Sequence, residues 1–185
     1  SKSICCTLLL SLAGKAFGEA AGFALLEREE GPLQLLGYGE SSDAHHMSAP
    51  HPSGQGAETA LHQALARAAL DVNAIDYVHL HGTATPKNDE IEATLINRCF
   101  GPHTLASSTK GMTGHTLGAA GMLGAAFCLL ALEQGWLPGT VNTQTLDPIC
   151  GSNILTKPIH RPVHVVASNS FAFGGSNCVL LWGQA

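Results

Sequence analysis

The chain has 185 residues, of which 12% are charged and 45% hydrophobic, and carries a net charge of −5. That length suits one domain with a real core, burying roughly 70% of the surface its unfolded chain would expose. Nine Lys and Arg residues with no basic cluster among them exclude nucleic acid and anionic membranes as electrostatic partners.

Two further totals shape the reading. Charge lies well below the roughly 25% usual for soluble domains, and 21 residues are glycine. There is too little charge to solvate an ordinary surface, which predicts a large face shared with a partner or with another part of the same fold. Six cysteines are scattered with no CxxC pair, a poor zinc or redox pattern and too sparse for a disulfide framework, so reduced thiols in a cytoplasmic protein are expected.

In chain order, SKSICCTLLLSLAGKA places one lysine before a short apolar run and faintly resembles a signal peptide. With no initiator Met and a single basic residue ahead of the run, the reading is a chain that starts inside a longer protein. GFALLERE (22 to 29) and LQLLGYGE (33 to 40) predict two strands joined by the turn EGP. The Ser, Pro and Gly content of residues 41 to 56 predicts a loop. Apolar residues at 61, 65, 68 and 72 keep helical spacing and predict an amphipathic helix over 57 to 70. IDYVHLHG (75 to 82) reads as a buried strand. Pro86 and Asn88-Asp89 signal the start of a helix over DEIEATLINRCF (89 to 100).

LASST (105 to 109) reads as a strand end, and residues 118 to 135 as a helix. Within that helix MLGAAFCLLAL (122 to 132) is too short to cross a bilayer and reads as a fully buried core helix, so no membrane span is expected. HVVASNSFAFGG (164 to 175) predicts a strand entering a glycine turn, and SNCVLLWG (176 to 183) a last strand. This alternation predicts an α/β layer architecture.

Three strand-exit turns carry the polar residues: HGTATPKNDEIE (81 to 92), STKGMTGHTLGAAG (108 to 121) and NSFAFGGSN (169 to 177). Ligands of open α/β sheets bind beyond such strand ends. His115 lies just ahead of a helix N-terminus, where the partial positive charge favours a neutral ring able to donate to a developing oxyanion. A plain helix-capping histidine is the bland alternative. His81 ends a strand before a Gly-Thr turn, and a core histidine is its bland alternative. Lys110 in apolar company calls for a carboxylate, with Glu92 as candidate.

Other patterns are rejected. Ser107-Ser108-Thr109-Lys110 fits S-x-x-K, but the companion SDN and KTG motifs are absent. His79-x-His81 would set two imidazoles on one strand face, and His45, His46 and His51 lie in a loop, yet no Asp or Cys accompanies them at ligand spacing, so no metal is expected. Neither a Walker A motif nor a dinucleotide fingerprint occurs.

Together HGTATPKND, SSTKGMTGHTLGAAG and NSFAFGGSN, in that order, resemble the C-terminal half of a β-ketoacyl-acyl carrier protein synthase, a condensing enzyme of the thiolase fold. The resemblance covers residues 18 to 183 from GEAAGFALLE onward, leaving residues 1 to 17 as a poorly matching segment. It implies one half of a duplicated α/β fold, with a mixed sheet and helices packed on both faces. GESSDAHHMSAP looks closer to the elongating type of fatty acid or polyene pathways than to starter enzymes that use coenzyme A.

By position, the resemblance implies that His81 and His115 are the two catalytic histidines that bind the thioester carbonyl of malonyl-carrier protein. Lys110 would order the site, with Glu92 in its network. Thr83 and Thr85 would hydrogen-bond the phosphopantetheine arm of the carrier protein. Phe173 would gate the acyl pocket on the loop that holds Phe171, Gly174 and Gly175. No cofactor of the chain's own is implied. Implied partners are acyl carrier protein, malonyl and acyl thioesters, the N-terminal half that carries the nucleophilic cysteine, and a homo- or heterodimer mate.

The departures matter as much. The family's cysteine sits in a TACSS-like turn, and no such turn occurs here; Cys5-Cys6 lacks the setting. Ala172 stands where the family usually has Gly and is expected to stiffen the gating loop. The chain alone is expected to dimerise or aggregate through an apolar face and to be inactive without the other half. Decarboxylative Claisen condensation is the leading expectation. The alternatives are a non-catalytic chain-length partner subunit and an isolated carrier-protein-binding module.

Overall fold

The structure is a computed structural model that describes residues 16–29, 31–143, 145–151 and 153–185. Cys5 and Cys6 lie outside the described residues. Five strands form the main sheet in the order β1-β7-β6-β2-β3, where β1 is Leu33–Ser42, β2 Tyr77–His79, β3 Leu105–Ser107, β6 Val165–Ala172 and β7 Ser176–Gln184. β7 runs antiparallel to both β1 and β6, while β2 is parallel to β6 and to β3. The sheet is therefore mixed. A second, two-stranded sheet pairs β4 (Trp136–Leu137) with β5 (Ile159–His160), which the sequence reading did not anticipate.

Alternation along the strands sends residues to two cores. Val78, Leu80, Ala167, Val179 and Leu181 face α1 (Gln55–Ala68) and α2 (Pro86–Cys99). Tyr77, Val166 and Trp182 face α4 (Ala120–Gln134). Helices thus cover both faces, as the α/β reading expects. α1 buries Ala57, Ala60, Leu61, Ala64 and Leu65, the stripe its spacing predicts.

Two expectations fail. Residues 22–29 form no strand: the apolar pattern finds no neighbouring strand to pair with, and Phe23, Leu25 and Leu26 are 101%, 83% and 65% exposed. The helix after His115 is not fully buried. Gly124, Ala125, Cys128, Ala131 and Leu132 face the sheet, whereas Leu130 is 39% exposed. Its length argument also fails, since Leu117–Gln134 is 18 residues, long and apolar enough to cross a membrane by length and composition. What marks it as a core helix is its packing on Val166 and Trp182.

Other boundaries move less. α2 starts at Pro86, whose missing N–H costs nothing in a first turn. A one-turn helix, α3 (Lys110–Thr113), precedes His115. Phe17 forms a parallel bridge with His115, through His115 N–H to Ala16 O (2.7 Å) and Gly18 N–H to His115 O (3.2 Å).

Candidate active site

Because β2, β3 and β6 are parallel neighbours, their C-terminal ends open on one edge of the sheet. β2 delivers His81, β3 delivers the Ser108 to Lys110 turn, and β6 delivers Asn169 and Phe171. The rings of His81 and His115 meet with centroids 5.6 Å apart and planes at 87°. Phe171 closes one side, its ring 5.9 Å from that of His81.

His115 Nδ1 accepts the N–H of Leu117 at 3.1 Å. A nitrogen that accepts carries no proton, so in the neutral ring the hydrogen sits on Nε2. Leu117 adopts a left-handed backbone, φ 52°, a conformation costly for a non-glycine residue. That strain turns its N–H toward the ring.

Beneath the rings lies a buried polar network. Glu92, 3% exposed, accepts from the N–H groups of His81 (2.8 Å) and Gly82 (2.7 Å) and from the amide of Asn169 (3.1 Å). Lys110 Nζ donates to the carbonyl of His81. The expected pairing of Lys110 with Glu92 is therefore made through one peptide unit, whose C=O takes the lysine and whose N–H, on Gly82, gives to the carboxylate. Burial raises the pKa of Glu92, against the pull of its three donors and of Lys110. Ser108 Oγ ties the turns together by donating to Gly82 O at 3.2 Å.

Thr83 and Thr85 share a hydrogen bond of 2.8 Å between their hydroxyls. They flank Ala84, whose φ is 59°. Asp89, on the first turn of α2, is 2% exposed and its Oδ2 has no hydrogen-bond partner among the described residues. Burial pushes its pKa up to about 8, with Glu92 and Cys150 adding to the rise and the Asn88 amide and Thr83 N–H opposing it. Asp89 and Asn169 were missed as individuals by sequence reasoning, although both lie inside the quoted motifs.

The glycine turn is tied to the loop after β1. Asp43 N–H donates to Gly175 O (2.8 Å), Gly174 N–H donates to Met47 O (2.8 Å), and Asn177 Nδ2 donates to Asp43 Oδ1 (2.8 Å). Gly175 has φ 79°, and a Cβ there would stand 2.8 Å from Asp43 Cβ, so only glycine fits. Ala172 does not stiffen this turn: it sits in extended backbone, φ −126°, paired with Ser176, where any residue is at ease. Phe173 lies on the same turn and is 71% exposed.

His79 and His81, the pair rejected as a metal site, do not share a strand face. β2 ends at His79, which turns toward α4, and His81 lies past the strand end. Among the described residues no cluster of three or more His, Cys, Asp or Glu is placed to hold a metal.

Comparison with known proteins gives the family. Residues 34–144 match the family described as beta-ketoacyl synthase, C-terminal domain. The chain is 43% identical over 186 aligned positions to the mitochondrial 3-oxoacyl-[acyl-carrier-protein] synthase of Arabidopsis thaliana, covering 92% of this chain and 40% of that protein. Among solved structures, a ketosynthase (ApeO) in complex with its chain length factor (ApeC) from Xenorhabdus doucetiae superposes with a TM-score of 0.80 at 47% identity, over 85% of this chain and 40% of that one. A type II polyketide ketosynthase complexed with its acyl carrier protein gives 0.78 at 27% identity, over 83% of this chain and 38% of that one. The chain spans less than half the length of each of these relatives.

Proposed function

The chain belongs to the β-ketoacyl synthase family, as its C-terminal domain and one half of a thiolase-like fold, and we propose that it supplies the decarboxylation site of a 3-oxoacyl-acyl carrier protein synthase. The observation that carries the reading is the ring pair, His81 and His115 at 5.6 Å, with His115 Nδ1 occupied by Leu117 N–H so that its Nε2 offers a proton.

In this reading the thioester carbonyl of malonyl-carrier protein lies against both rings. The bond between the malonyl α-carbon and the carboxylate breaks, CO2 leaves, and the electron pair moves onto the carbonyl oxygen as an enolate. Two neutral donors stabilise that oxyanion, each by about 3 kcal/mol. The α-carbon then attacks an acyl thioester held on a cysteine of the other half of the fold, expelling the thiolate. Lys110 and Glu92 hold the His81 backbone in place throughout. Thr83 and Thr85 take the phosphopantetheine arm, and carrier protein is the partner that brings it.

CO2 release from malonyl-carrier protein by the full-length protein tests this. His81→Ala and His115→Ala are each expected to lower the rate by about 10²–10³-fold. Unchanged rates in both variants would show that neither ring is the oxyanion donor, whereas no CO2 release above background from the unaltered protein would favour the non-catalytic chain-length type of subunit.

A further inference from the structure

We infer that His79 is a positioning residue for this site, holding the Lys110 turn through the hydroxyl of Thr109; the inference rests on the reading of Lys110, His81 and His115 as the decarboxylation site. His79 is the last residue of β2 and is 3% exposed. Its Nε2 lies 3.0 Å from Thr109 Oγ1. Its ring stacks on Phe127, with centroids 5.7 Å apart and planes 5° from parallel. The slot for the ring exists because α4 carries a glycine there: a Cβ at Gly124 would stand 3.2 Å from His79 Nδ1.

Packing alone does not account for an imidazole in this slot. Nδ1 is buried with no hydrogen-bond partner among the described residues, and such an atom costs roughly 1–3 kcal/mol. A leucine would fill the space without that cost. What the imidazole adds is its bond to Thr109. Thr109 in turn starts α3, its carbonyl accepting from Met112 N–H (2.8 Å), Thr113 N–H (3.0 Å) and Thr113 Oγ1 (3.2 Å).

From this turn Lys110 reaches back to the carbonyl of His81. The two histidines of the His79-x-His81 pattern therefore act on one lysine: the ring of the first fixes the base of its turn, and the backbone of the second receives its tip. Burial, and then the charge of Lys110, hold the His79 pKa down to about 3. The ring stays neutral at the pH where the reaction runs, and the clamp places no second positive charge beside the lysine.

The test compares His79→Leu and Thr109→Val with the conservative His79→Gln and Thr109→Ser in the full-length protein. One readout is the acetylation rate of Lys110 by acetic anhydride, followed by mass spectrometry against the exposed Lys87 and Lys157; the other is kcat and KM for decarboxylation. Lys110 is 9% exposed, and both disruptive variants are expected to raise its labelling severalfold relative to the reference lysines. Each lowers kcat about tenfold with KM unchanged, the double variant is no worse than either single one, and the conservative variants recover. Unchanged Lys110 labelling in Thr109→Val, a near-isosteric change that leaves the fold intact, overturns the proposal, as does simple addition of the two effects on kcat. Labelling needs no turnover, so raised labelling in a protein that releases no CO2 would support the clamp while sinking the reaction assigned to the site.

Discussion

On one face of the sheet α1 buries Ala57, Ala60, Leu61, Ala64 and Leu65, all at most 6% exposed, and turns His62 and Arg67 to solvent. On the other face α4 is apolar on every side and leaves Leu130 39% exposed, while Phe23, Leu25 and Leu26 stand clear of both cores. An amphipathic helix is complete once it meets a sheet. A helix without a polar side needs a second layer, and among the described residues none covers Leu130 on its outer side.

Five predictions break or sharpen this contrast. Leu61→Ala, on the closed face, is expected to cost about 2–5 kcal/mol by chemical denaturation. Next come two pH effects of opposite sign, one hidden on each face. Asp89 has its folded pKa raised from 3.8 to about 8, so the folded state holds a proton that the unfolded chain has lost, and stability falls as pH rises between those values, by on the order of 1 kcal/mol per pH unit. His79 is depressed from 6.5 to about 3, so its contribution is present above the higher value and is lost as pH falls toward the lower one. Asp89→Asn should flatten the alkaline side of the stability profile and His79→Gln the acid side; a profile unchanged in either variant contradicts that assignment.

Smaller still is Glu58→Gln, which breaks a half-exposed pair with Arg98 at 2.5 Å; a loss under about 1 kcal/mol is expected. Leu130→Glu should change the stability of the isolated chain by no more than about 0.5 kcal/mol. It should nevertheless reduce self-association in light scattering, and equal association in both chains would show that the open face is not the sticky one.

Much of this was legible in the sequence. α1, α2, β6 and β7 follow from period and turn residues within a few positions, and His81, Lys110, His115 and Glu92 are brought together as their motifs imply. What the sequence hid were relations between distant backbones. Lys110 and Glu92 meet on a shared peptide unit, which no spacing rule encodes. The strand expected over 22–29 had the apolar content but, among the described residues, finds no strand to pair with, and apolar content alone does not supply one. Ala172 looked like a stiffening substitution until its φ showed a position with nothing to stiffen. Cys128 illustrates the converse: nothing in its neighbours in sequence marks it, yet burial raises its thiol pKa and leaves it donating to Ala167 O at 3.4 Å.

The bridge between residues 16–18 and His115 makes the histidine a junction rather than an endpoint. Its backbone is gripped on both sides by an extended stretch from nearly a hundred residues earlier in the chain, so the ring hangs from two strands of backbone at once. A displacement of residues 16–18 would therefore be felt at the His115 backbone through these two hydrogen bonds.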